Sequence, residues 1–91
     1  MLNVNLSRNA AKFLRKLPQK HSFQIAVKIR SLQENPYPSD YKQLKGSLGQ
    51  YYRIDSGEYR VIYEILGDIL YIILIGKRND DEVYRQMRRK L

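Results

Sequence analysis

The chain has 91 residues, of which 43% are hydrophobic, and this length and composition predict one globular domain over residues 1–91. It contains no cysteine and only one histidine, His21, which excludes disulfides and thiolate nucleophiles and leaves too few ligands for a zinc site. Seventeen basic and nine acidic residues give a net charge of +8, which favours polyanionic partners.

The positive charge is concentrated in the first half of the chain. Residues 1–50 carry nine basic and two acidic side chains, whereas residues 51–91 carry eight and seven. We interpret the first half as a surface that attracts polyanions non-specifically, and the mixed charges of the second half as those of a specific site. A solvated face on a merely basic protein explains the charge excess alone about equally well.

No segment has the pattern of a membrane anchor. Residues 1–5 lack the cationic start and long apolar run of a signal peptide, and the longest apolar run, residues 69–75, is too short to cross a bilayer. Together with the absence of cysteine, this pattern predicts a cytoplasmic protein without a membrane partner.

The N-terminal segment predicts a strand followed by a helix. Apolar and polar residues alternate from Leu2 to Leu6, which is typical of a short strand with one buried face. Ser7 is a plausible N-cap for a helix that ends near Leu17. The polar side of this helix carries a basic stripe, formed by Arg8, Lys12, Arg15 and Lys16.

A second helix is predicted after Pro18, which breaks the first helix and suits the start of the next. It is expected to run to about Gln33 and to form a helical hairpin with the first. Its apolar residues predict a broad buried stripe, made of Phe23, Ile25, Val27, Ile29 and Leu32.

Glycine-containing turns divide the second half into strands. Residues 51–55, 58–66 and 69–75 are separated by Ser56-Gly57 and Gly67-Asp68, which predicts a three-stranded antiparallel meander. Asn79 is then expected to cap a short final helix. The fold class is therefore predicted as α+β, a small β-αα-βββ-α domain whose mostly antiparallel sheet carries the helical hairpin on one face.

The register of the first β-hairpin is expected to bring two arginines together. With Ser56-Gly57 as the turn, Asp55 lies opposite Glu58, and Arg53 lies opposite Arg60. Alternation of side chains then separates an apolar face, which must contact the helices, from an exposed face. The apolar face comprises Tyr52, Ile54, Tyr59, Val61, Tyr63 and Ile65, and the exposed face comprises Tyr51, Arg53, Asp55, Glu58, Arg60, Ile62 and Glu64.

Basic residues are predicted to converge at one end of the exposed face. In the next strand Glu58 falls across from Lys77, and Arg78 follows at the strand end beside Arg60 and Arg53. Neighbouring like charges destabilise a sheet unless a counter-ion offsets the repulsion, and guanidinium groups bind phosphate bidentately. The cluster therefore predicts a site for a nucleic-acid phosphate, RNA in particular, with a surface salt-bridge network as the alternative.

Tyrosine is frequent, with eight copies against two phenylalanines and no tryptophan. Tyr52, Tyr59 and Tyr63 are explained as core residues whose hydroxyl groups reach water. Tyr84, on the predicted final helix near the arginines, is suited to stack on an unpaired base.

Several short segments together form a recognisable set: Leu44-Lys45-Gly46, Tyr52-Arg53-Ile54, residues 57–63 (GEYRVIY), Gly76-Lys77-Arg78 and Glu82-Val83-Tyr84. With the lengths of the N-terminal strand and helices, they resemble the RelE/ParE superfamily of bacterial toxins over essentially the whole chain. The resemblance implies a toxin of a prokaryotic type II toxin–antitoxin system. It also implies that an antitoxin encoded by the adjacent gene neutralises the toxin and masks its positive face.

Two activities occur in this superfamily. RelE-like members cleave mRNA in the ribosomal A site without a metal or other cofactor, whereas ParE-like members inhibit DNA gyrase and generally lack the basic residues. The RelE catalytic pattern matches this chain at Arg53, Arg60, Arg78 and Tyr84, and departs from it at Asp55, where RelE has a second lysine. We expect an endoribonuclease that inhibits translation, with a gyrase inhibitor or a non-catalytic RNA-binding module as alternatives.

The resemblance and the chemistry of RNA cleavage together suggest a role for each of these residues. The RNA 2′-hydroxyl is the nucleophile, Arg60 binds the non-bridging oxygens, and Arg53 binds the same phosphate or its neighbour. Arg78 is the candidate proton donor or leaving-group stabiliser, and Tyr84 stacks on the base. Asp55 is either the general base or a turn residue paired with Arg53 or Lys77.

The remaining basic residues are expected to contact ribosomal RNA, with binding that weakens as salt increases. His21 is expected to be a helix-surface residue rather than a base. The predicted ribosome-binding set is Lys12, Arg15, Lys16, Lys20, Lys28, Lys45 and Lys77.

Overall fold

The structure of the chain is a computed structural model, and it describes residues 1–44 and 50–78. The predicted helix from Asn79 onward, including Tyr84, lies outside the described residues, and so does Lys45. No helix within residues 1–44 and 50–78 is long and apolar enough to cross a bilayer.

The described residues form two helices and a five-stranded sheet, which confirms the α+β prediction. The strands lie in the order β1-β5-β4-β3-β2, with β1 parallel to β5 and every other neighbouring pair antiparallel. The two-residue strand β2 was not predicted. The elements are β1 Asn3–Leu6, α1 Arg8–Lys16, α2 Gln19–Glu34, β2 Lys42–Gln43, β3 Tyr52–Ser56, β4 Tyr59–Leu66 and β5 Ile69–Lys77.

Ser7 caps α1, as predicted. Its hydroxyl oxygen accepts a hydrogen bond from the Ala10 N–H at 3.0 Å, which satisfies one of the amides that a helix start leaves unpaired. The same hydroxyl donates to the carbonyl of Ile73 in β5, and the Ser7 N–H donates to the carbonyl of Ile72 at 2.8 Å. The buried serine therefore ties the start of α1 to the central part of β5.

The helical hairpin packs on one face of the sheet, as predicted. From the helices, Ala10, Ile25, Ile29 and Leu32 enter the core, and the sheet contributes Tyr52, Ile54, Tyr59, Val61, Tyr63, Leu70, Ile72 and Ile75. Ile65, the last member of the predicted apolar face, is partly buried against this core. The assignment of hairpin side chains to a helix-facing side is therefore confirmed.

Two apolar pairs predicted to be buried are exposed. Phe23 and Val27 are 67% and 54% exposed, because residues two positions apart on a helix point about 200° apart, so neither can share the face that buries Ile25. Val4 and Leu6 are also more than one-third exposed, because β1 lies at the edge of the sheet. The prediction of a buried face for β1 was therefore too strong.

The first β-hairpin turns at residues 57–58 rather than at residues 56–57. Gly57, the first turn residue, has a φ of +59°, whereas the φ of Glu58, the second turn residue, is not positive. This pattern matches a type II′ turn, in which glycine occupies the first turn position. Ser56 therefore pairs with Tyr59, as the last residue pair before the turn. The sequence-based register had placed the glycine second, which corresponds to a different turn type.

This turn changes which residues face each other. Asp55 lies opposite Arg60, and Arg53 lies opposite Ile62, so the predicted Arg53–Arg60 and Asp55–Glu58 pairs were wrong. Each residue nevertheless stays on its predicted face, because the pairing moves by two positions and side chains alternate with a period of two.

A β-bulge at Ile73 alters the second hairpin. Tyr63 pairs with Ile72 and Ile62 pairs with Leu74, which leaves Ile73 without an opposite residue in β4. The predicted Glu58–Lys77 pair was therefore wrong. Beyond the bulge, each residue of β5 therefore points to the side of the sheet opposite to the one that the predicted register gives it.

The reversed alternation decides which basic residue joins the arginines. Lys77 lies opposite Tyr59, on the helix-facing side. Arg78 comes to the side of Arg60 instead, and its N–H donates to the carbonyl of Glu58 at 2.9 Å. The bulge thus moves Lys77 away from the predicted cluster and keeps Arg78 in it.

Candidate nucleic-acid interface

The side of the sheet that faces away from the helices carries an arginine–aspartate cluster, made of Arg53, Asp55, Arg60 and Arg78. Arg60 Nε donates to Asp55 Oδ1 at 2.8 Å, and Arg60 Nη2 lies 3.5 Å from Asp55 Oδ2. Arg78 Nη1 lies 4.0 Å from Asp55 Oδ2. One carboxylate therefore contacts two guanidinium groups, that of Arg60 in β4 and that of Arg78 directly after β5.

The arginines of this network favour the ionised form of the Asp55 carboxyl group. The hydrogen bond from Arg60 lowers the pKa of Asp55, and the charges of Arg60, Arg53 and Arg78 lower it further, while partial burial acts in the opposite direction. The carboxyl group is consequently ionised at neutral pH and is a weak proton acceptor. The alternative structural role, a pair with Arg53 or Lys77, was wrong in its partners, which are Arg60 and Arg78.

A pocket of about 270 Å³ opens at the end of the cluster where β3 meets β2. We call it the arginine pocket, and its lining residues are Asp40, Lys42, Arg53, Ile54, Asp55 and Arg60. Lys42 lies directly opposite Arg53 in the sheet. Within residues 1–44 and 50–78, neither Lys42 nor Arg53 makes an ion pair.

Each acidic residue of the arginine pocket has a cationic partner. Asp40 lies 3.4 Å from Lys28 Nζ, and Asp55 binds Arg60. The net charge of the pocket lining and of Lys28 is therefore positive. Two cations that have no carboxylate partner among residues 1–44 and 50–78 suit a bound phosphate, which would also offset the repulsion between them.

Lys42 is the site residue that sequence reasoning missed. Strand β2 has only two residues, so it shows no alternation of polar and apolar side chains from which a strand could be recognised. The neighbouring segment reads as a polar loop in the sequence. Pairing with β3, rather than any local pattern, gives Lys42 its place in the site.

The predicted exposed face is not exposed throughout. Ile62, Ile73 and Leu74 form a second apolar cluster on this side, with Leu44, Tyr51 and Tyr71 packed against it. Glu64 is half-buried on the same side, and burial raises its pKa. The arginine pocket thus adjoins an apolar surface instead of lying on a uniformly polar one.

The basic stripe of α1 lies on the other side of the molecule. Arg8, Lys12, Arg15 and Lys16 are exposed on the helical layer, and Lys20 is exposed at the start of α2. His21 is half-buried, and its ring lies 5.4 Å from that of Tyr59, measured between ring centroids. The structure therefore separates a helical basic surface from the arginine pocket, and it places His21 away from that pocket.

Comparisons with known proteins agree with the fold. Residues 4–82 match the model of the family described as ParE toxin of type II toxin-antitoxin system, parDE. A protein of Methanocaldococcus jannaschii assigned as toxin RelE1 is 36% identical over 75 residues, which cover 79% of this chain and 82% of that protein.

Solved structures of RelE toxins have the same fold. The isolated Escherichia coli RelE toxin superposes with a TM-score of 0.74 at 27% identity, over the full length of both chains. A chain of the RelE–RelB complex from Pyrococcus horikoshii OT3 superposes with a TM-score of 0.73 at 26% identity, over 85% of this chain and 94% of that one.

Proposed function

Because the chain belongs to the RelE/ParE family of type II toxin–antitoxin toxins, we propose that it is a RelE-like endoribonuclease. It cleaves mRNA in the ribosomal A site, blocks translation and acts in the cytoplasm of a prokaryotic cell. The observation that carries this proposal is the arginine pocket, where Arg53, Arg60 and Lys42 converge beside the Asp55–Arg78 pair. Such a pocket suits one phosphate of a nucleic-acid strand.

The chemistry of RNA cleavage requires little more from the protein than alignment and charge. The 2′-hydroxyl of the substrate loses its proton to water and its oxygen attacks the adjacent phosphorus. The bond to the 5′-oxygen breaks and that oxygen takes up a proton, so that no external nucleophile is needed. Negative charge develops on the non-bridging oxygens and on the leaving oxygen. Preorganised donors at these oxygens stabilise the transition state, and each such donor contributes roughly 10²- to 10³-fold in rate.

Arg60 is assigned to the non-bridging oxygens. Its side chain is 14% exposed and is held by Asp55 through Nε, so its direction is fixed before substrate arrives. A guanidinium has five N–H donors in a planar fork, which matches the oxygens of a phosphate. Arg53, with Lys42 opposite it, is assigned to the same phosphate or to the neighbouring one.

Arg78 is assigned to the leaving 5′-oxygen, either as a hydrogen-bond donor or as its proton source. Its guanidinium lies beside Asp55 and is half-exposed, which leaves it accessible to substrate. Tyr84 is assigned to stacking on the base, on the strength of the resemblance alone. Asp55 is assigned to positioning the two arginines, because the same contacts that hold it lower its pKa and weaken it as a general base.

The partners follow from the same proposal. RelE chains have been solved in complex with the RelB antitoxin, and we propose that this chain has a cognate antitoxin encoded by the adjacent gene. An acidic segment of that antitoxin would compete with RNA for the arginine pocket. The exposed helical residues Lys12, Arg15, Lys16 and Lys20, together with Lys28, Lys45 and Lys77, are proposed to contact ribosomal RNA.

Inhibition of DNA gyrase is the second candidate function. It is favoured by the family model, which is that of ParE toxins, and by Asp55, which stands where RelE-like toxins have a second lysine. The arginine pocket weighs against it, because ParE-like members generally lack the basic residues.

Two assays on the purified protein separate the candidates. In a translation reaction on a defined mRNA, primer extension is expected to detect cleavage within the A-site codon, while supercoiling by gyrase proceeds normally. Intact mRNA with inhibited gyrase would establish the ParE-like function instead. Intact mRNA with normal gyrase and measurable RNA affinity would identify a non-catalytic RNA-binding module.

A further inference from the structure

Four tyrosines form one aromatic cluster beside the arginine pocket. We call it the tyrosine cluster, and its members are Tyr37, Tyr41, Tyr52 and Tyr63. The ring centroid of Tyr37 lies 5.5 Å from that of Tyr41 and 5.3 Å from that of Tyr52, and both contacts are edge-to-face. Tyr52 and Tyr63 are buried in the core, whereas Tyr37 is 46% exposed. The cluster therefore extends from the core to the surface.

The loop that carries Tyr37 is held in one conformation. Tyr63 Oη donates to the carbonyl of Pro36 at 2.6 Å, and the Tyr37 N–H donates to Asn35 Oδ1 at 3.2 Å. The Tyr41 N–H donates to the carbonyl of Pro38 at 3.1 Å. Prolines on both sides of Tyr37 fix two further backbone angles. A ring held in this way loses little conformational entropy when a ligand binds to it.

The same loop forms a wall of the arginine pocket. Asp40 lines the pocket, and Lys42, which follows Tyr41 directly, lines it as well. Lys42 pairs with Arg53, whose neighbour in β3 is Tyr52, a ring partner of Tyr37. The tyrosine cluster therefore lies on the helix-facing side of the sheet and the cations lie on the other side, and the loop that carries Tyr37 connects the two at the edge strand β2.

Exposed aromatic rings next to cations are the usual means of binding an unpaired nucleotide. The base stacks on the ring, and the cations bind the phosphate. The net positive charge of the arginine pocket favours an anionic ligand over an apolar peptide. Burial and a hydrogen bond with the Tyr37 side chain raise the pKa of Tyr52, so the Tyr37 hydroxyl is anchored to the buried tyrosine while part of the Tyr37 ring stays exposed.

We propose that Tyr37, supported by Tyr41, is a stacking platform for an unpaired base of an RNA strand that has another nucleotide's phosphate in the arginine pocket. This inference rests on the proposed function, since it takes single-stranded RNA as the ligand. It assigns the base contact to a loop on the far side of β3 from Arg53, in addition to the base contact proposed for Tyr84. The RNA strand would then pass around β2, at the edge of the sheet.

Binding of a fluorescein-labelled single-stranded RNA to the full chain, measured by anisotropy at low salt, tests the inference. Tyr37→Leu is expected to weaken binding by about 5- to 150-fold, the range for loss of one base–aromatic stack. Tyr37→Phe keeps the ring and is expected to stay within about twofold of wild type. Phe23→Leu, an exposed aromatic on α2 outside the pocket, is the matched control and is expected to leave affinity unchanged.

An abasic RNA distinguishes stacking from a structural effect. Removal of one base at the stacked position should weaken wild-type binding, and Tyr37→Leu should then cause no further loss on that RNA. If Tyr37→Leu does not fold, 2-aminopurine placed along the RNA gives the same test, because stacking on Tyr37 should quench its fluorescence at one position that stays quenched in a Tyr84→Leu variant.

The outcomes separate this inference from the proposed function. Weaker binding by Arg53→Ala together with unchanged binding by Tyr37→Leu would overturn the stacking platform and leave the RNA site standing. Failure of wild-type protein to bind RNA, or an Arg53→Ala variant that binds as wild type does, would overturn the stacking platform as well, whereas the proposed function is tested separately by cleavage of mRNA on ribosomes. Equal effects of Tyr37→Leu on intact RNA and on every abasic RNA would also overturn the stacking role.

Discussion

Asp55 and Arg60 lie directly opposite each other across the β3–β4 hairpin and are joined by a hydrogen bond of 2.8 Å from Nε to Oδ1. The pair orients the guanidinium at the wall of the arginine pocket and lowers the pKa of the carboxyl group. Asp55 thereby differs in kind from the lysine of RelE-like toxins, because it can fix arginines but adds no positive charge.

Substitution of Asp55 by asparagine should slow cleavage without changing its pH dependence. Asparagine keeps an oxygen that can accept from Arg60 but loses the charge, and a hydrogen bond to a charged group contributes about 1.5–3 kcal/mol. We expect a fall of roughly tenfold or more in the single-turnover rate. The control is Asp68→Asn, at the exposed turn of the second hairpin. Disappearance of the acidic limb of the pH–rate profile would instead identify Asp55 as the general base.

The same pair should make part of the stability depend on acid pH. The pKa of Asp55 is lowered from the ordinary 3.8 in the folded state. Its contribution to stability is therefore complete above about pH 4 and is lost as the pH falls through the lowered folded value. Because the carboxyl side chain is 38% exposed, we expect less than about 1 kcal/mol.

Thermal unfolding at several pH values checks this dependence. Wild type should be more stable than Asp55→Asn at pH 6, and the difference should shrink as the pH falls below about 4. A difference that stays constant from pH 6 to pH 2 would show that the ion pair contributes nothing to stability.

Ser7→Ala should lower the free energy of unfolding by more than the substitution of an exposed serine does. It removes the N-cap of α1, which contributes about 1 kcal/mol. It also leaves the buried Ile73 carbonyl without its hydroxyl donor, at a cost of about 1–3 kcal/mol. Ser31→Ala, which removes an exposed hydroxyl bonded within α2, is the control. Chemical denaturation should show a clear loss for Ser7→Ala alone, and equal losses would contradict the anchoring role.

Much of the fold could be predicted because it depends on local patterns. Ser7 precedes an amphipathic helix, and Tyr52, Ile54, Val61 and Tyr63 alternate with polar residues, so the cap and the helix-facing side of the sheet followed from the sequence. The same patterns gave the correct face for Arg53 and Arg60, which is why the two arginines were placed on the same side of the sheet in spite of a wrong register.

The remaining errors of prediction concern features that depend on contacts between residues far apart in the sequence. Whether Gly57 occupies the first or the second turn position is not determined by the hairpin's alternation, and the bulge at Ile73 depends on neighbours from β4 and α1. Lys42 reaches the site only through pairing with β3. Phe23 was placed in the core because the second helix is apolar on more than one side.

Single-turnover cleavage of mRNA on ribosomes with a defined A-site codon is the direct test of the proposed arginine site. Wild-type protein should cut within that codon, and the Arg60→Ala, Arg78→Ala double variant should be slower by at least about 10²-fold. Arg8→Ala, an exposed arginine on the helical layer, is the control and should cut at nearly the wild-type rate. A double variant that cleaves as fast as wild type would show that these arginines are not the catalytic groups.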